Sequence, residues 1–197
     1  MRVAPLSPGV AGAWSALFEA CGCACHCRYW HFEGGKNDWL ARCFEQPERN
    51  RDEQLALLAA GATEARGLVA MEGDLAIGWM KLAPRDALPK LLRLGPYRAL
   101  DLGEAGGVHV IGCLLVRPDR RRRGVARALV EAADAQVLAW GGRAIEAFPH
   151  RASHDLRDEE AWMGPEGLFR SLGYEAVHGD GPYPVLRKVL GRGRVIG

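Results

Sequence analysis

The segment from Cys113 to Val130 is the feature that most constrains how this chain can fold. It joins an apolar run ending at Val116 to a basic turn and then to an amphipathic helix. The start of a helix exposes backbone N–H groups that lack partners inside the helix, and the helix dipole places partial positive charge there. Gly124 has no Cβ to keep an anion away from these groups, and Ala126 keeps the next turn small. The pattern therefore predicts a phosphate cradle between a strand and a helix.

Two simpler interpretations of Arg121, Arg122 and Arg123 are a solvated helix start and a patch for nucleic acid. Arginine clusters do bind phosphate backbones without sequence preference. The whole chain, however, carries 26 Lys and Arg against 24 Asp and Glu, a formal net charge of +2. The positive charge is therefore local, which favours a focused anion site over a broad basic surface. We expect no nucleic-acid partner.

The run Arg121-Arg122-Arg123-Gly124-Val125-Ala126 resembles the Arg/Gln-x-x-Gly-x-Gly/Ala signature of the GNAT superfamily of acyl-CoA N-acyltransferases. It follows the apolar strand from Val110 to Val116, and the later segment from Gly167 to Glu175 resembles the family's closing helix and its Leu-Gly-Phe/Tyr exit. The Cys-rich segment from Cys21 to Trp30 is similar to the N-terminal motif of one bacterial GNAT branch. The resemblance implies an α/β fold with a central mixed, mostly antiparallel sheet, flanked by helices, whose strands splay at the cofactor site.

The resemblance also implies acetyl-CoA as the acyl donor and indicates which residues hold it. The backbone of the strand end pairs with pantetheine, and the basic turn binds the pyrophosphate. Many members carry a tyrosine four residues before the glycine of the Leu-Gly-Phe/Tyr motif, and the residue at that position here is Phe169, which cannot donate a proton. The expected cofactor contacts on the strand, the turn and the last helix are Leu114, Leu115, Val116, Arg121, Arg122, Arg123, Gly124, Val125, Ala126 and Phe169.

The sequence does not identify the catalytic residues. The strand positions where some relatives place an acid or a histidine base are Val110 and Gly112, and neither can titrate. On a regular strand His109 points to the opposite face, which favours a structural role. Cys113 lies near the expected thioester path, but a buried cysteine without an evident base is usually inert. Further candidates on loops are His31, Glu33 and Tyr183.

Length and composition favour a single domain over residues 1–197. A chain of 197 residues with 48% hydrophobic residues is long enough to form one buried α/β core but too short to form two comfortably. Residues 1–66 are expected to supply an N-terminal strand and helices on the acceptor side, and residues 67–190 the sheet core with the acyl-CoA cradle. Since no long apolar run or secretory signal is recognisable, we expect a cytoplasmic protein without membrane contact.

Hydrophobic periodicity and turn residues predict the order of the elements. The predicted strands cover residues 2–6, 67–71, 75–82, 108–116, 143–148, 174–177 and 185–190. The first predicted helix begins after Ser7. The other four cover residues 38–44, 51–60, 123–140 and 166–172. Residues 83–107 are irregular by pattern, and they form either a short helix around 88–94 or a lid beside the substrate.

Six cysteines lie at positions 21, 23, 25, 27, 43 and 113. In a cytoplasmic chain such a cluster indicates thiols or a metal site more than disulfides. The Cys-x-Cys spacing differs from the Cys-x2-4-Cys pairs of structural zinc sites, although His26 and Cys43 could complete a tetrahedral set. We expect small buried thiols packed under a loop and no required metal, while a zinc site and a redox pair stay open. The aromatic residues expected in the core, or alternatively along an acceptor pocket, are Tyr29, Trp30, Phe32, Trp39 and Trp79.

The resemblance implies an N-acetyltransferase that moves an acetyl group directly from acetyl-CoA to a primary amine of a small molecule or protein. The tetrahedral intermediate would be held by a backbone N–H near Val116. One alternative is a catalytically weak acyl-CoA-binding regulator, because the usual titratable positions are missing. Another is a zinc-sensing or thiol-sensing module on the same fold. The acceptor stays unidentified, and a homodimer is left open.

Overall fold

A computed structural model describes residues 1–151, 157, 160–179 and 181–191 of the chain. The helices are α1 (Ala11–Ala20), α2 (Lys36–Glu45), α3 (Pro47–Ala59), α4 (Val125–Ala139) and α5 (Glu166–Ser171). The strands are β1 (Arg2–Pro5), β2 (Gly67–Glu72), β3 (Leu75–Pro84), β4 (Val108–Val116), β5 (Ala144–Ala147), β6 (Glu175–His178) and β7 (Val185–Val189). None of the helices within the described residues has a stretch long and apolar enough to span a bilayer. The end of the predicted domain, residues 192–197, lies outside the described residues.

The predicted order of helices and strands is confirmed. The largest boundary difference is at α3, which begins at Pro47 rather than at residue 51. Proline is suited to the first turn of a helix, because its fixed φ is helical and its missing N–H would have no partner there. The α2 and α3 helices therefore follow each other almost without a connection.

The described strands form one mixed sheet in the order β1-β2-β3-β4-β5-β7-β6. Neighbouring strands are antiparallel except for β4 and β5, which are parallel. The hairpin between β2 and β3 turns at Gly73, whose φ of 56° suits glycine. The α/β class and the mixed, mostly antiparallel sheet are thus confirmed.

Strands β4 and β5 pair along only part of their length. Residues 108–111 of β4 lie opposite residues 144–147 of β5. Beyond this point β4 stays paired with β3 as far as Val116, which lies opposite Gly78. The predicted splay is therefore present, and none of the described strands lies beside the outer edge of β4 at Leu114–Val116.

A β-bulge marks the place where β4 leaves β5. The register with β3 shifts between Lys81 and Leu82, whose partners are Cys113 and Ile111, so Gly112 is the extra residue. The indole N–H of Trp30 donates to the Gly112 carbonyl at 2.7 Å. A Cβ at Gly112 would lie 2.9 Å from that indole nitrogen. Glycine is therefore required for the tryptophan to pack against the bulge.

The sheet is covered on both faces. Alternate residues of β2 belong to two separate clusters, with Leu68 and Ala70 in one and Val69 and Met71 in the other. The first cluster includes the apolar face of α4, and the second includes α1 and part of the Cys-rich segment. The buried residues that α4 contributes are Val125, Leu129, Val130, Ala133 and Val137.

Residues 85–107 form packed irregular structure. They contain two short 3-10 turns, Arg85–Ala87 and Leu91–Arg93, and contribute a third cluster of buried side chains. The Arg85 guanidinium donates to the carboxylate of Glu146 on β5 at 3.0 Å and to the Leu102 carbonyl at 3.1 Å. A helical turn is thus present near residues 88–94, and the lid interpretation gains no support because these residues are tied to the core.

The Cys-rich segment, called the Cys loop below (Cys21–Cys27), is a series of turns rather than a strand. His26 and Cys27 have left-handed φ values of 41° and 56°. Cys21, Cys23 and Cys25 pack against the cluster around α1, Cys27 is buried in it, and all four thiols are free. The expectation of small buried thiols therefore holds for Cys27, whereas Cys21, Cys23 and Cys25 are half-buried.

We expect replacement of the buried Glu146 to destabilise the fold strongly. Its side chain is fully buried between Arg85 and Arg187. Glu146→Ala leaves two guanidinium groups without their carboxylate and should lower the free energy of unfolding by about 3–5 kcal/mol. The control is Glu131→Ala, which removes a half-exposed carboxylate 3.7 Å from Arg127 and should cost less than about 0.5 kcal/mol. Equal stabilities of the two variants in chemical denaturation would contradict this assignment.

Candidate active site

A cavity of about 850 Å³ lies between the free end of β4 and the start of α4. Its lining comes from β4, the basic turn, the connection from β5 to α5, and the Cys loop. Eight of the ten expected cofactor contacts line it, namely Leu114, Leu115, Val116, Arg121, Arg122, Gly124, Val125 and Ala126. A strand edge and a helix start therefore face the same space.

The basic turn presents backbone donors to this cavity. Arg122 and Gly124 have left-handed φ values of 58° and 81°. The Ala128 N–H makes an intrahelical bond to the Gly124 carbonyl at 3.0 Å, so the N–H groups of residues 125–127 come before it and lack acceptors inside α4. A Cβ at Gly124 would meet no atom within 4 Å. The turn is therefore open where a phosphate group would approach.

Arginine side chains surround the turn unevenly. Arg121, Arg122 and Arg127 line the cavity, whereas Arg123 is exposed and does not line it. The Nε of Arg121 donates to the Val116 carbonyl at 3.3 Å, and Nη2 of Arg127 donates to the hydroxyl of Ser171 at 2.9 Å. These side chains give the phosphate end of the cavity a positive potential.

The free edge of β4 is not open along its whole length. The backbone N–H of Leu114 donates to the carbonyl of Trp162 at 2.7 Å. No described strand pairs with this N–H, and the β5–α5 connection bonds to it instead. Buried backbone donors need an acceptor, and a loop carbonyl supplies one here.

The ring of Trp162, which lines the cavity, packs against two aromatic side chains of the N-terminal region. Its ring stacks on Trp30 with centroids 5.4 Å apart, and Tyr29 meets it edge-on at 6.3 Å. Trp30 is fully buried, whereas Trp162 is 38% exposed. Of the five aromatic residues for which core and acceptor pocket were the alternatives, Trp30 and Trp79 are fully buried in the core, and none lines this cavity. Trp30 supports the ring of Trp162, which does line it.

Two titratable groups from the β5–α5 connection and α5 line the cavity. Glu166 receives hydrogen bonds from Arg151 at 2.7 and 2.8 Å and from Arg170 at 2.8 Å. These bonds, those of Arg151 first, lower the pKa of Glu166 to about 2. His150 follows β5, and its ring stacks on Tyr183 at 5.0 Å. Glu166 is therefore an anion at neutral pH and a weak base, and His150 adds an imidazole to the lining.

Phe169 does not line the cavity. It is fully buried, packs against Tyr174 with ring centroids 5.4 Å apart, and would contact a Cβ placed at Gly164. The side chain therefore supports the cavity from behind, through Gly164 and Leu114. The contact expected between Phe169 and the cofactor stays a prediction.

The candidate bases on β4 and in the loops lie elsewhere. His109 is buried and stacks on Trp140 at 5.7 Å, and burial, followed by the nearby charge of Arg66, lowers its pKa. His31 and Glu33 line a second, smaller cavity of about 190 Å³. Burial, followed by the charge of Lys81, lowers the pKa of His31 to about 2. None of these groups lines the larger cavity.

Besides Arg127 and Glu166, the lining residues that sequence reasoning missed include His150, Trp162, Cys21 and Cys23. His150 and Trp162 lie in a connection without periodicity, and their places depend on contacts with residues far away in the sequence. The one available signal was that His150 directly follows the end of a predicted central strand. The two cysteines were noticed as a motif but not placed at the cavity.

The structure gives no support to the zinc hypothesis. Among the described residues, no group of three or more His, Cys, Asp or Glu side chains is arranged to hold a metal ion. Cys23 and Cys25 have their sulfurs 3.4 Å apart, as a contact between free thiols.

A family model of GNAT acetyltransferases matches residues 36–158, more than half of the chain. The chain belongs to the GNAT acetyltransferase family. The match includes β2 to β5 with the basic turn and α4, and so contains the free edge of β4 and the start of α4. This GNAT chain is therefore an acyl-CoA-dependent acetyltransferase, and the resemblance found in the sequence is confirmed.

Solved structures share the fold at low sequence identity. The PaiA N-acetyltransferase from Thermoplasma acidophilum in complex with coenzyme A is 11% identical, with a TM-score of 0.55 over 96% of this chain and 99% of that one. The aminoglycoside 6′-N-acetyltransferase from Enterococcus faecium is 16% identical, with a TM-score of 0.55 over 97% and 98%. No curated protein matches the sequence. At these identities the likeness shows the fold alone.

We expect a bulky side chain at Gly124 to weaken binding of acetyl-CoA. Gly141, at the other end of α4, is a matched control, because both glycines have φ near 80° and neither has an atom within 4 Å of a built Cβ. Gly124→Leu and Gly141→Leu should share a backbone cost of about 1–2 kcal/mol. Only Gly124→Leu should also lower acetyl-CoA affinity, by about tenfold or more, in isothermal titration. Equal affinities in the two variants would contradict the phosphate cradle.

Proposed function

We propose that this GNAT acetyltransferase binds acetyl-CoA in the 850 Å³ cavity and transfers its acetyl group to a primary amine. The observation that carries the proposal is the joining, in one cavity, of the free edge of β4 and the open start of α4. A ligand with both amides and phosphates matches this combination. Structural neighbours solved with coenzyme A or acetyl-CoA support it.

The two ends of acetyl-CoA have distinct partners in this proposal. The pyrophosphate accepts hydrogen bonds from backbone N–H groups between Arg122 and Ala126, and the charges of Arg121 and Arg127 lie nearby. Pantetheine runs along Leu114–Val116, and its amides take the place of a neighbouring strand. The thioester then lies toward Trp162.

The Leu114 N–H is the proposed donor to the developing oxyanion. The carbonyl oxygen of Trp162 already lies 2.7 Å from this nitrogen. The same position therefore suits the carbonyl oxygen of the thioester. The thioester oxygen replaces it, and the hydrogen bond strengthens as negative charge grows in the tetrahedral intermediate. The amine attacks directly, and the CoA thiolate leaves without a covalent enzyme intermediate.

His150 is the proposed general base. Among the described residues that line the cavity, it carries the only imidazole. The thiol of Cys21 has a pKa raised by burial and Glu166 a pKa of about 2, so neither suits proton transfer at neutral pH. His150 accepts the proton from the attacking amine and returns it to the leaving thiolate, a role that Phe169 cannot take.

Turnover with a panel of primary amines tests the function. The protein is incubated with acetyl-CoA and small aliphatic amines, aromatic amines or lysine peptides, and both released CoA and acetylated product are measured. The proposal expects equal amounts of the two with at least one amine class. Binding of acetyl-CoA without any acetylated amine would favour the alternative of a non-catalytic acyl-CoA-binding regulator. Failure to bind acetyl-CoA would overturn the proposal.

We expect His150→Ala to lower kcat by about 100-fold or more while leaving acetyl-CoA affinity near its original value. The control is His178→Ala, because His178 is exposed on β6 and does not line the cavity. Steady-state kinetics with the best amine and titration with acetyl-CoA give the two readouts. An unchanged kcat in His150→Ala would show that water, rather than this imidazole, takes the proton.

A further inference from the structure

The Cys loop forms one side of the acetyl-CoA cavity. Cys21, Gly22 and Cys23 line it, and the Cys21 Sγ lies 3.9 Å from the carbonyl oxygen of Val116. Val116 belongs to the edge of β4 where we place pantetheine. Two protein thiols therefore lie beside the path of a ligand that itself ends in a thiol.

Cys23 is paired with a second thiol outside the cavity lining. The Sγ atoms of Cys23 and Cys25 are 3.4 Å apart, and both cysteines are free. A disulfide bond requires about 2.05 Å between its sulfurs, so the two sulfurs must approach further for a bond to form. The backbone N–H of Cys27 donates to the Cys25 Sγ at 3.4 Å. The side-chain hydrogen bond with Cys23 lowers the pKa of Cys25, but the side-chain hydrogen bond with Cys27 and burial outweigh it, so the pKa of this thiol is raised.

The surrounding structure holds this pair in position. His26 has a left-handed φ of 41°, and its ring stacks on Phe18 of α1 with centroids 4.8 Å apart. The side-chain amide of Asn50 on α3 donates to the Ala24 carbonyl at 3.0 Å. The chain between the two cysteines and directly after Cys25 is thus fixed to two helices.

The other cysteines lack this combination of access and a partner. Cys27 is buried, and the indole N–H of Trp79 lies 3.0 Å from its sulfur. Cys113 is buried in β4, and Cys43 lies on α2. None of the three lines the cavity. Cys23 is therefore the thiol that a cavity ligand meets with a second thiol directly behind it.

We propose that Cys23 and Cys25 form a redox-active dithiol that reduces the disulfide of CoA bound in the acetyl-CoA cavity. The inference rests on the proposed function in one respect, because the cavity must bind the CoA moiety. One half of CoA disulfide carries the same nucleotide and pantetheine as acetyl-CoA, so the basic turn and the edge of β4 can hold it. Its disulfide then takes the place of the thioester.

The exchange has two balanced steps. The Cys23 thiolate attacks one sulfur of CoA disulfide, the S–S bond breaks, and the first CoA leaves as a thiolate that takes up the proton lost by Cys23. Cys25 then attacks the Cys23 sulfur of the mixed disulfide, and the second CoA leaves with the proton of Cys25. The protein dithiol is oxidised by two electrons, which reduce CoA disulfide to two CoA thiols.

Incubation of the reduced protein with CoA disulfide tests this assignment. The hydrogen bond to Cys25, followed by burial, raises the pKa of Cys23, so the assay is run at mildly alkaline pH. Chromatography should detect two CoA released per chain, and intact mass spectrometry the loss of two hydrogens. Cys25→Ser should stop at the mixed disulfide with one CoA released, and Cys23→Ser should slow CoA release by at least about tenfold. Cys43→Ser is the matched control and should behave as the original chain.

Glutathione disulfide, which lacks the nucleotide, is the second probe and should react at least about tenfold more slowly than CoA disulfide. Equal rates for the two disulfides, undiminished reaction in Cys23→Ser, or peptide mapping to another cysteine would overturn the proposal. Titration of CoA into the reduced protein and into Cys23→Ser distinguishes failure of the dithiol proposal from failure of the proposed function. Binding of CoA without exchange overturns the dithiol alone, whereas absence of CoA binding overturns both.

Discussion

The divergence of β4 from β5 is the constraint on which the rest of the site depends. Parallel pairing ends at Ile111, opposite Ala147, while β4 stays paired with β3 as far as Val116. The bulge at Gly112, held by the indole of Trp30, lies where the two strands separate. The separation leaves a space that the start of α4 borders, so that amide groups of a strand and N–H groups of a helix face one ligand.

Loops from distant parts of the sequence complete this space and satisfy its backbone. The Leu114 N–H is bonded to Trp162, and the Val116 carbonyl accepts from Arg121. A bound pantetheine and thioester would replace these partners with groups of the same kind. Because hydrogen bonds are exchanged rather than lost, ligand binding need not leave a buried backbone group without a partner. The Cys loop borders the same edge and places the thiols of Cys21 and Cys23 in the cavity lining.

The sequence predicted the parts of this structure that local patterns determine. Strand β4 was predicted with its exact bounds, since a mostly apolar run lies between Gly107 and Arg117, and the Gly73 hairpin follows from its turn residues. The roles of His150 and Trp162 were not predictable, because their positions result from contacts with residues far away in the sequence. Arg122 and Arg123 were both predicted to contact the cofactor, but of the two only Arg122 lines the cavity. Arg122 has a left-handed φ, a local conformation that the sequence pattern did not indicate.

A crystal structure of this GNAT acetyltransferase grown with acetyl-CoA would test the central claim most directly. The account predicts the pyrophosphate within hydrogen-bonding distance of backbone N–H groups from Arg122 to Ala126, and pantetheine alongside Leu114–Val116. It also predicts that the thioester oxygen replaces the Trp162 carbonyl at the Leu114 N–H. Phosphates bound away from the turn, or pantetheine away from the edge of β4, would contradict it.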